Sequence, residues 1–382
     1  MRPAIQIWSN FPLAPTGYGQ QTRVLADWLT AEGFEVSISS NYGVQAAVQP
    51  YTTASGKVIP QYPMGYDGYS QDVIVSHANH WSEQTGRQTV LLTLFDTWVL
   101  KNDRLAELPA IVSWVPIDHT PVPPAVARWC GQPNVTPVAM AEFGKQQLDN
   151  AGIQSVFIPH TVSEEFSRRP GGGELMGFTD DQFVVMMNAA NKGSTPTRKA
   201  WSENFLALSM FMAKHEDVVA YIHTEARCPA GIDLTMLAKA AGIPKGRLVF
   251  PDQYAYRIGM FSNEMLAKMY SRANVMLAVS MGEGFGIPTV EAQACGARII
   301  GSNATATPEL VSKDSWLVDG QPEWDPAQLS FWFRPHIHPI VSALEEAYQA
   351  KRGQSPQAIS KAEQYREKHW LPKWGELLEK VL

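Results

Sequence analysis

Short apolar runs separated by longer stretches of mixed polarity set the rhythm of this chain. Ile5–Trp8, Glu35–Ser39, Asp72–Ser76, Thr89–Leu94 and Ala110–Trp114 each read as a strand, and Gln20–Glu32 reads as a helix between the first two. Alternation of this kind predicts a parallel sheet with helices on its faces. After a Pro/Gly break at Pro170, Gly171, Gly172 and Gly173 the rhythm returns, with strands expected at Phe183–Asn188, Val218–His223, Arg247–Phe250, Val275–Ala278 and Arg298–Gly301. The pattern therefore predicts an α/β chain of two doubly wound domains, residues 1–168 and 176–357, hinged near 165–178. A last helical pattern, residues 358–382, is interrupted at Pro372. It is expected to cross back and brace the first domain through Trp370 and Trp374, with capping of its own domain as the alternative.

Bulk composition agrees with two domains. A chain of 382 residues exceeds one ordinary hydrophobic core, and 45% hydrophobic against 18% charged residues excludes wholesale disorder. No run approaches the length of a membrane-spanning helix, and the start from Met1 leads into a strand pattern instead of a signal peptide, so a cytoplasmic location is expected. Cys130, Cys228 and Cys295 are far apart and unpaired in spacing, which suggests neither a disulfide framework nor a zinc site. A formal charge of −6 lacks the basic excess of a non-specific nucleic-acid binder, although a local basic groove is compatible with it.

The chemistry concentrates in the run from Ala278 to Gly296. It follows an apolar strand and opens a helix, with Pro288 suited to the first helical position and Gly296 to the cap. A glycine-rich turn lets backbone amides approach an anion, and the helix dipole favours the same charge; a diphosphate suits both. Glu283 on the loop and Glu291, expected in the first helical turn, are carboxylates able to accept hydrogen bonds from sugar hydroxyls. Alone, such a turn is a weak signal, because a first-turn glutamate often only complements the dipole. His119 follows Asp118 at a strand's carboxyl end, where open α/β sheets bind ligands, although a core histidine is the plainer reading. His77 and His80 are expected after a strand end, where they would line the acceptor side; they have no third ligand for zinc.

This run closely resembles the E-x7-E signature of the retaining GT-B glycosyltransferases of family four, matching at Ser280, Glu283, Gly284, Phe285, Gly286, Glu291, Ala292, Ala294 and Gly296. Thr305–Leu310 is similar to the family's G-x-P-E-[IL] turn. Asn10–Gln21, with Gly17 and Gly19, resembles the first strand–helix loop, and Val115–Thr120 the segment bearing the strand-end histidine. Phe157–Val162 resembles the I-P-N-G-V-D segment, with Thr161 in place of glycine and Ser163 in place of aspartate. Tyr254–Arg257 falls where such enzymes hold the nucleobase. The family's G-R-x(5)-K-G string is replaced by Asn188–Lys199, where Asn191 takes the arginine position. The phosphate cation then falls to Lys192, Arg198 or Lys199, with the spacing favouring the last two.

The resemblance implies a GT-B fold: two Rossmann-like domains facing a cleft, the first on the acceptor side and the second holding a UDP-sugar or GDP-sugar donor, with no metal and no other cofactor. It implies His119, Asp118 and Glu283 as catalytic residues. Gly17, Gly19, Lys192, Arg198, Lys199, Gly284, Phe285, Gly286 and Glu291 would bind the donor, with Glu291 on the ribose and Glu283 on the transferred sugar. Three strings, A-P-T-G-Y-G, P-x-D-H-T-P-V-P and F-P-D-Q-Y-A-Y, further resemble a bacteriophage subgroup. Hydroxymethylated DNA thereby joins protein, lipid and small molecules as an acceptor class, and Trp8, Tyr18, Trp81 and Trp98 become candidates to hold a flipped base. A GT-B-type nucleotide-sugar epimerase and a non-catalytic scaffold are the alternatives.

Overall fold

The computed structural model describes residues 2–193, 197–350 and 353–382. The first sheet contains β1 (Ala4–Asn10), β2 (Glu35–Tyr42), β3 (Gln49–Thr52), β4 (Val58–Tyr62), β5 (Thr89–Leu94), β6 (Ala110–Val115), β7 (Val135–Ala139) and β8 (Val156–Phe157). Its order is β3-β4-β2-β1-β5-β6-β7-β8, parallel except for the antiparallel β3–β4 pair. Every residue of β5 and β6 is buried, as expected of central strands covered on both faces.

The second sheet contains β9 (Phe183–Asn188), β10 (Val218–His223), β11 (Leu248–Val249), β12 (Val275–Ala278), β13 (Arg298–Ser302) and β14 (Trp316–Val318), in the order β11-β10-β9-β12-β13-β14. In both sheets the chain leaves its first strand in one direction and later returns on the other side, so crevices open beyond the carboxyl ends of β1/β5 and β9/β12. A separate antiparallel hairpin, β15 (Gly320–Asp325) and β16 (Ser330–Pro335), follows β14.

One expected strand is a helix. Asp72–Ser76 runs into the helix Ile74–Thr85, because the buried positions Ile74, Val75, Ala78 and Trp81 recur at helical spacing and a three-residue apolar run cannot distinguish the two. His77 and His80 therefore lie on that helix; His77 Nδ1 is 2.9 Å from Ser39 Oγ and His80 Nδ1 2.7 Å from the Tyr62 hydroxyl. Pro137 masks β7 in the sequence, since proline inside a run argues against a strand.

The terminal pattern is two helices, Pro356–Glu363 and Glu367–Leu378, with Pro372 inside the second. The first packs on the helix Ile287–Ala294. The second meets the first domain: Trp374 is fully buried with its ring 4.8 Å from Trp114, and Arg2 pairs with Glu379 at 2.7 Å. Trp370 packs edge-on against Phe157 at 5.2 Å. Between the helices, buried Arg366 donates to the carbonyls of Ser163 (2.6 Å) and Phe166 (3.2 Å), fastening the crossing to the connection between the sheets. Among the described residues no helix is long and apolar enough to cross a membrane.

Candidate active site

The glycine-rich turn after β12 is one of the places where the two domains touch. A Cβ on Gly282 would collide with the Asp118 carbonyl, and one on Gly284 would lie 2.6 Å from Pro116 Cβ. These glycines thus admit the strand end of β6 against the turn. Gly286 (φ 104°) turns the chain into the helix Ile287–Ala294, with Pro288 at its second position. Gly296 (φ 90°) ends it through Gly296 N–H to Gln293 O (2.8 Å) and Ala297 N–H to Ala292 O (3.0 Å), a Schellman closure. Phe285 is 4% exposed and turns inward against His160 and Tyr365, so its side chain faces the core and not the cleft. Gly17 approaches the same helix, its Cβ position 3.0 Å from Ile287 Cδ1; Gly19 instead fits inside its own loop against the Phe11 and Ala14 carbonyls.

Glu283 gathers the cations. Lys199 Nζ donates to its Oε1, and Arg198 donates to its Oε2 at 3.2 Å and to Gly282 O at 2.6 Å. Arg198 Nε also lies 3.8 Å from Asp118 Oδ2. Burial would raise the Glu283 carboxyl, but Lys199 and Arg198 together hold it below the usual glutamate range. Burial and the neighbouring Arg198 charge lower the Lys199 ammonium. Thr305, in the left-handed region at φ 53°, accepts the Glu283 amide at 3.0 Å and fixes the backbone beneath these charges. The Asp96 carboxyl, just past β5, is raised by loss of hydration in the cleft and by Asp118.

Of the three candidate cations, the fold brings Arg198 and Lys199 to Glu283 and leaves Lys192 exposed. Asn191 has a structural occupation: its amide donates to Glu225 O and Ile232 O and accepts the Ile232 amide. Residues 194–196 of that string lie outside the described residues.

His119 sits across the cleft from this cluster, 3% exposed, between two carboxylates. Its Nδ1 is 2.7 Å from Asp118 Oδ1 and its Nε2 is 3.2 Å from Asp325 Oδ2, with the Trp332 ring 5.2 Å away. Burial would raise the Asp118 carboxyl, but His119, Arg198 and Lys199 hold it below the usual aspartate range.

Glu291 differs from the expectation. It is the fifth residue of its helix, no acidic residue occupies the first turn, and it is 3% exposed. The Tyr270 hydroxyl donates to its Oε2 at 3.1 Å, and Asn188 donates to that hydroxyl at 2.6 Å. Burial pushes the Glu291 carboxyl up to about 7. Beside this chain a cavity at the carboxyl ends of β9 and β12 is lined by Asn188, Ala189, Lys199, Ser280, Glu283 and Gly286. Tyr254 is 72% exposed, whereas Tyr256 packs against His223, whose ring burial lowers to about 4. Trp8 and Trp81 are core residues, Trp98 is half exposed, and Tyr18 is partly buried near Asp96 and Arg198.

Asp96, Tyr270, Thr305 and Asp325 were not legible as site residues. Asp325 meets His119 from 206 positions away, and no local motif announces such a contact. Glu309 is also a domain contact: its carboxylate accepts the amides of Glu142 and Phe143, both at 2.9 Å, at the start of a first-domain helix.

Residues 250–329 match the family model described as "Glycosyl transferases group 1". The chain is 29% identical over 121 residues to a serotype-specific mannosyltransferase WbdA of Escherichia coli, covering 31% of this chain and 12% of that protein. It is 36% identical over 62 residues to an O-antigen chain mannosyltransferase B of the same species, covering 16% of each. The matched stretches thus span a small part of these relatives. The solved structure of a sucrose-phosphate synthase from Thermosynechococcus elongatus superposes with a TM-score of 0.73 at 15% identity, covering 100% of this chain and 99% of that one. The similarity to the glycosyl transferases group 1 thus lies in residues 250–329, while the GT-B fold runs the whole length of the chain.

Proposed function

We propose that this protein is a retaining glycosyltransferase that moves a sugar from a UDP-sugar or GDP-sugar to an acceptor hydroxyl without a metal ion. One observation carries the reading: Arg198 and Lys199 converge on Glu283 beside the crevice of the second sheet, opposite Asp118 and His119 of the first. A departing nucleoside diphosphate gains negative charge as its bond to the sugar breaks, and fixed cations stabilise that charge without reorganising. The bond from the anomeric carbon to the phosphate oxygen breaks, and the acceptor oxygen bonds to the same face of that carbon. The acceptor proton passes to the departing phosphate. Glu291 lies behind the donor cavity, linked to its lining through Tyr270 and Asn188, and is assigned to the ribose; Glu283, in the lining itself, is assigned to the transferred sugar. Closure of the two domains excludes water and limits hydrolysis of the donor.

A saccharide hydroxyl is the favoured acceptor. The Asp118 carboxylate in the cleft disfavours a polyanion, and the partial relatives are named as mannosyltransferases. The test is a transfer assay with UDP- and GDP-sugars against oligosaccharides and hydroxymethylated duplex DNA, run with and without chelator. Anomeric configuration would be read by nuclear magnetic resonance. Retained configuration, chelator-resistant transfer to saccharide supports the proposal. Glucosylated DNA would move the acceptor assignment, and a donor epimerised without any acceptor would replace the transferase reading.

A further inference from the structure

The hairpin β15–β16 projects one face across the cleft. In its register Asp325 pairs with Ser330 and Glu323 with Trp332, so strand alternation puts these four on one side and Trp324 and Phe331 on the other. The first side meets the first domain: Asp325 and Trp332 reach His119, and the Ser330 hydroxyl donates to Pro121 O. The backbone is tied there as well, by Thr120 N–H to Phe331 O (3.0 Å) and Phe331 N–H to Thr120 O (3.2 Å). Phe333 N–H donates to Met281 O at 2.8 Å, joining the hairpin to the glycine-rich turn. Asp325 is 6% exposed, and its two oxygens are divided: Oδ1 accepts the Ala327 amide at 2.9 Å and Oδ2 faces His119.

We propose that Asp325 is a positioning residue for His119, holding the imidazole against Asp118 as a doubly protonated ring. The reason is the inventory of donors. Ionised carboxylates only accept hydrogen bonds, so an imidazole contacting one through each nitrogen satisfies both contacts only with a proton on each. Asp118, His119 and Asp325 then carry one net negative charge together. The other charged groups around this trio include Asp96, whose charge couples to that of Asp118, Arg198, which lies against Asp118, and the Glu283–Lys199 pair behind it. Resting on the glycosyltransferase reading, this arrangement puts a net anionic trio near the sugar, where positive charge develops as its bond breaks, and the cations near the departing phosphate.

Asp325→Asn separates this role from a merely structural one. The amide oxygen can still accept from Ala327, while an amide N–H then faces His119 Nε2. The ring is forced to the neutral form with its proton on Nδ1 toward Asp118. Nitrogen-15 spectra of the histidine rings at about pH 7.5, assigned by the resonance missing in His119→Asn, should show two protonated nitrogens in the parent and one in D325N. In the transfer assay with a UDP- or GDP-sugar and a saccharide acceptor, kcat should fall about tenfold or more while the donor KM changes by less than about threefold. A parent ring already singly protonated, or a D325N ring still doubly protonated, overturns the assignment, as does unchanged kcat. The spectra require no turnover, so they decide the role of Asp325 even if no sugar transfer is found.

Discussion

Glu283 and Glu291 stand eight residues apart on one turn, yet their surroundings shift them in opposite directions. Glu283 lies against two cations and is held ionised; Glu291 lies against a tyrosine hydroxyl, with burial raising it to about 7. A motif therefore fixes where a carboxylate stands, while the elements packed around it fix its charge. The strongest way to break the contrast is Glu283→Ala, which leaves Arg198 and Lys199 facing each other without their shared partner. Steady-state transfer should fall by about 100- to 1,000-fold. A loss of less than about threefold would mean that the ion-paired member of the motif is only structural.

The next effect lies with the cations. Lys199→Met and Arg198→Met should each weaken nucleoside diphosphate binding by about 10- to 100-fold, the span expected for one charge-assisted hydrogen bond. Calorimetry with UDP and GDP measures it, and also reads which base the protein prefers. Unchanged affinity in both variants would remove the phosphate from the Glu283 side of the comparison.

Legibility follows the same division. The alternation of strands and helices and the glycine-rich turn are local features, so the doubly wound sheets and the positions of Glu283, Glu291 and His119 are readable from short windows. Spacing already favours Arg198 and Lys199 over Lys192, but that both meet Glu283 depends on the path of the loop that Asn191 holds. Glu291 stands just beyond the first turn in which the pattern places it, since the helix begins at Ile287, and it lies on the buried face. Val73–Val75 misled through shortness, and the hairpin bearing Asp325 through distance along the chain.

The Glu291 side is sharpened by pH. Its carboxyl is raised above the usual value of 4.5, so between that value and about 7 the folded chain holds a proton that the unfolded chain releases. Stability from this group is complete below the lower value and is lost as pH rises through the upper one. Urea melts of the parent should therefore lose on the order of 1–3 kcal/mol relative to Glu291→Gln between about pH 5 and about pH 8. Parallel pH profiles for the two proteins would show that Glu291 is not buried as a neutral acid.

The smallest effect belongs to Lys192, and its smallness is informative. Its side chain is exposed and stands apart from the Glu283 cluster, with Asp96 within its electrostatic reach. An exposed charge of this kind contributes little, because water and salt screen it. Lys192→Ala should change nucleoside diphosphate affinity by about twofold or less, against the much larger loss in Lys199→Met. If the two variants lost equal affinity, the phosphate would have to reach past Glu283 toward the Asp96 side of the cleft. Glu283 and Glu291 would then no longer mark the two ends of one donor.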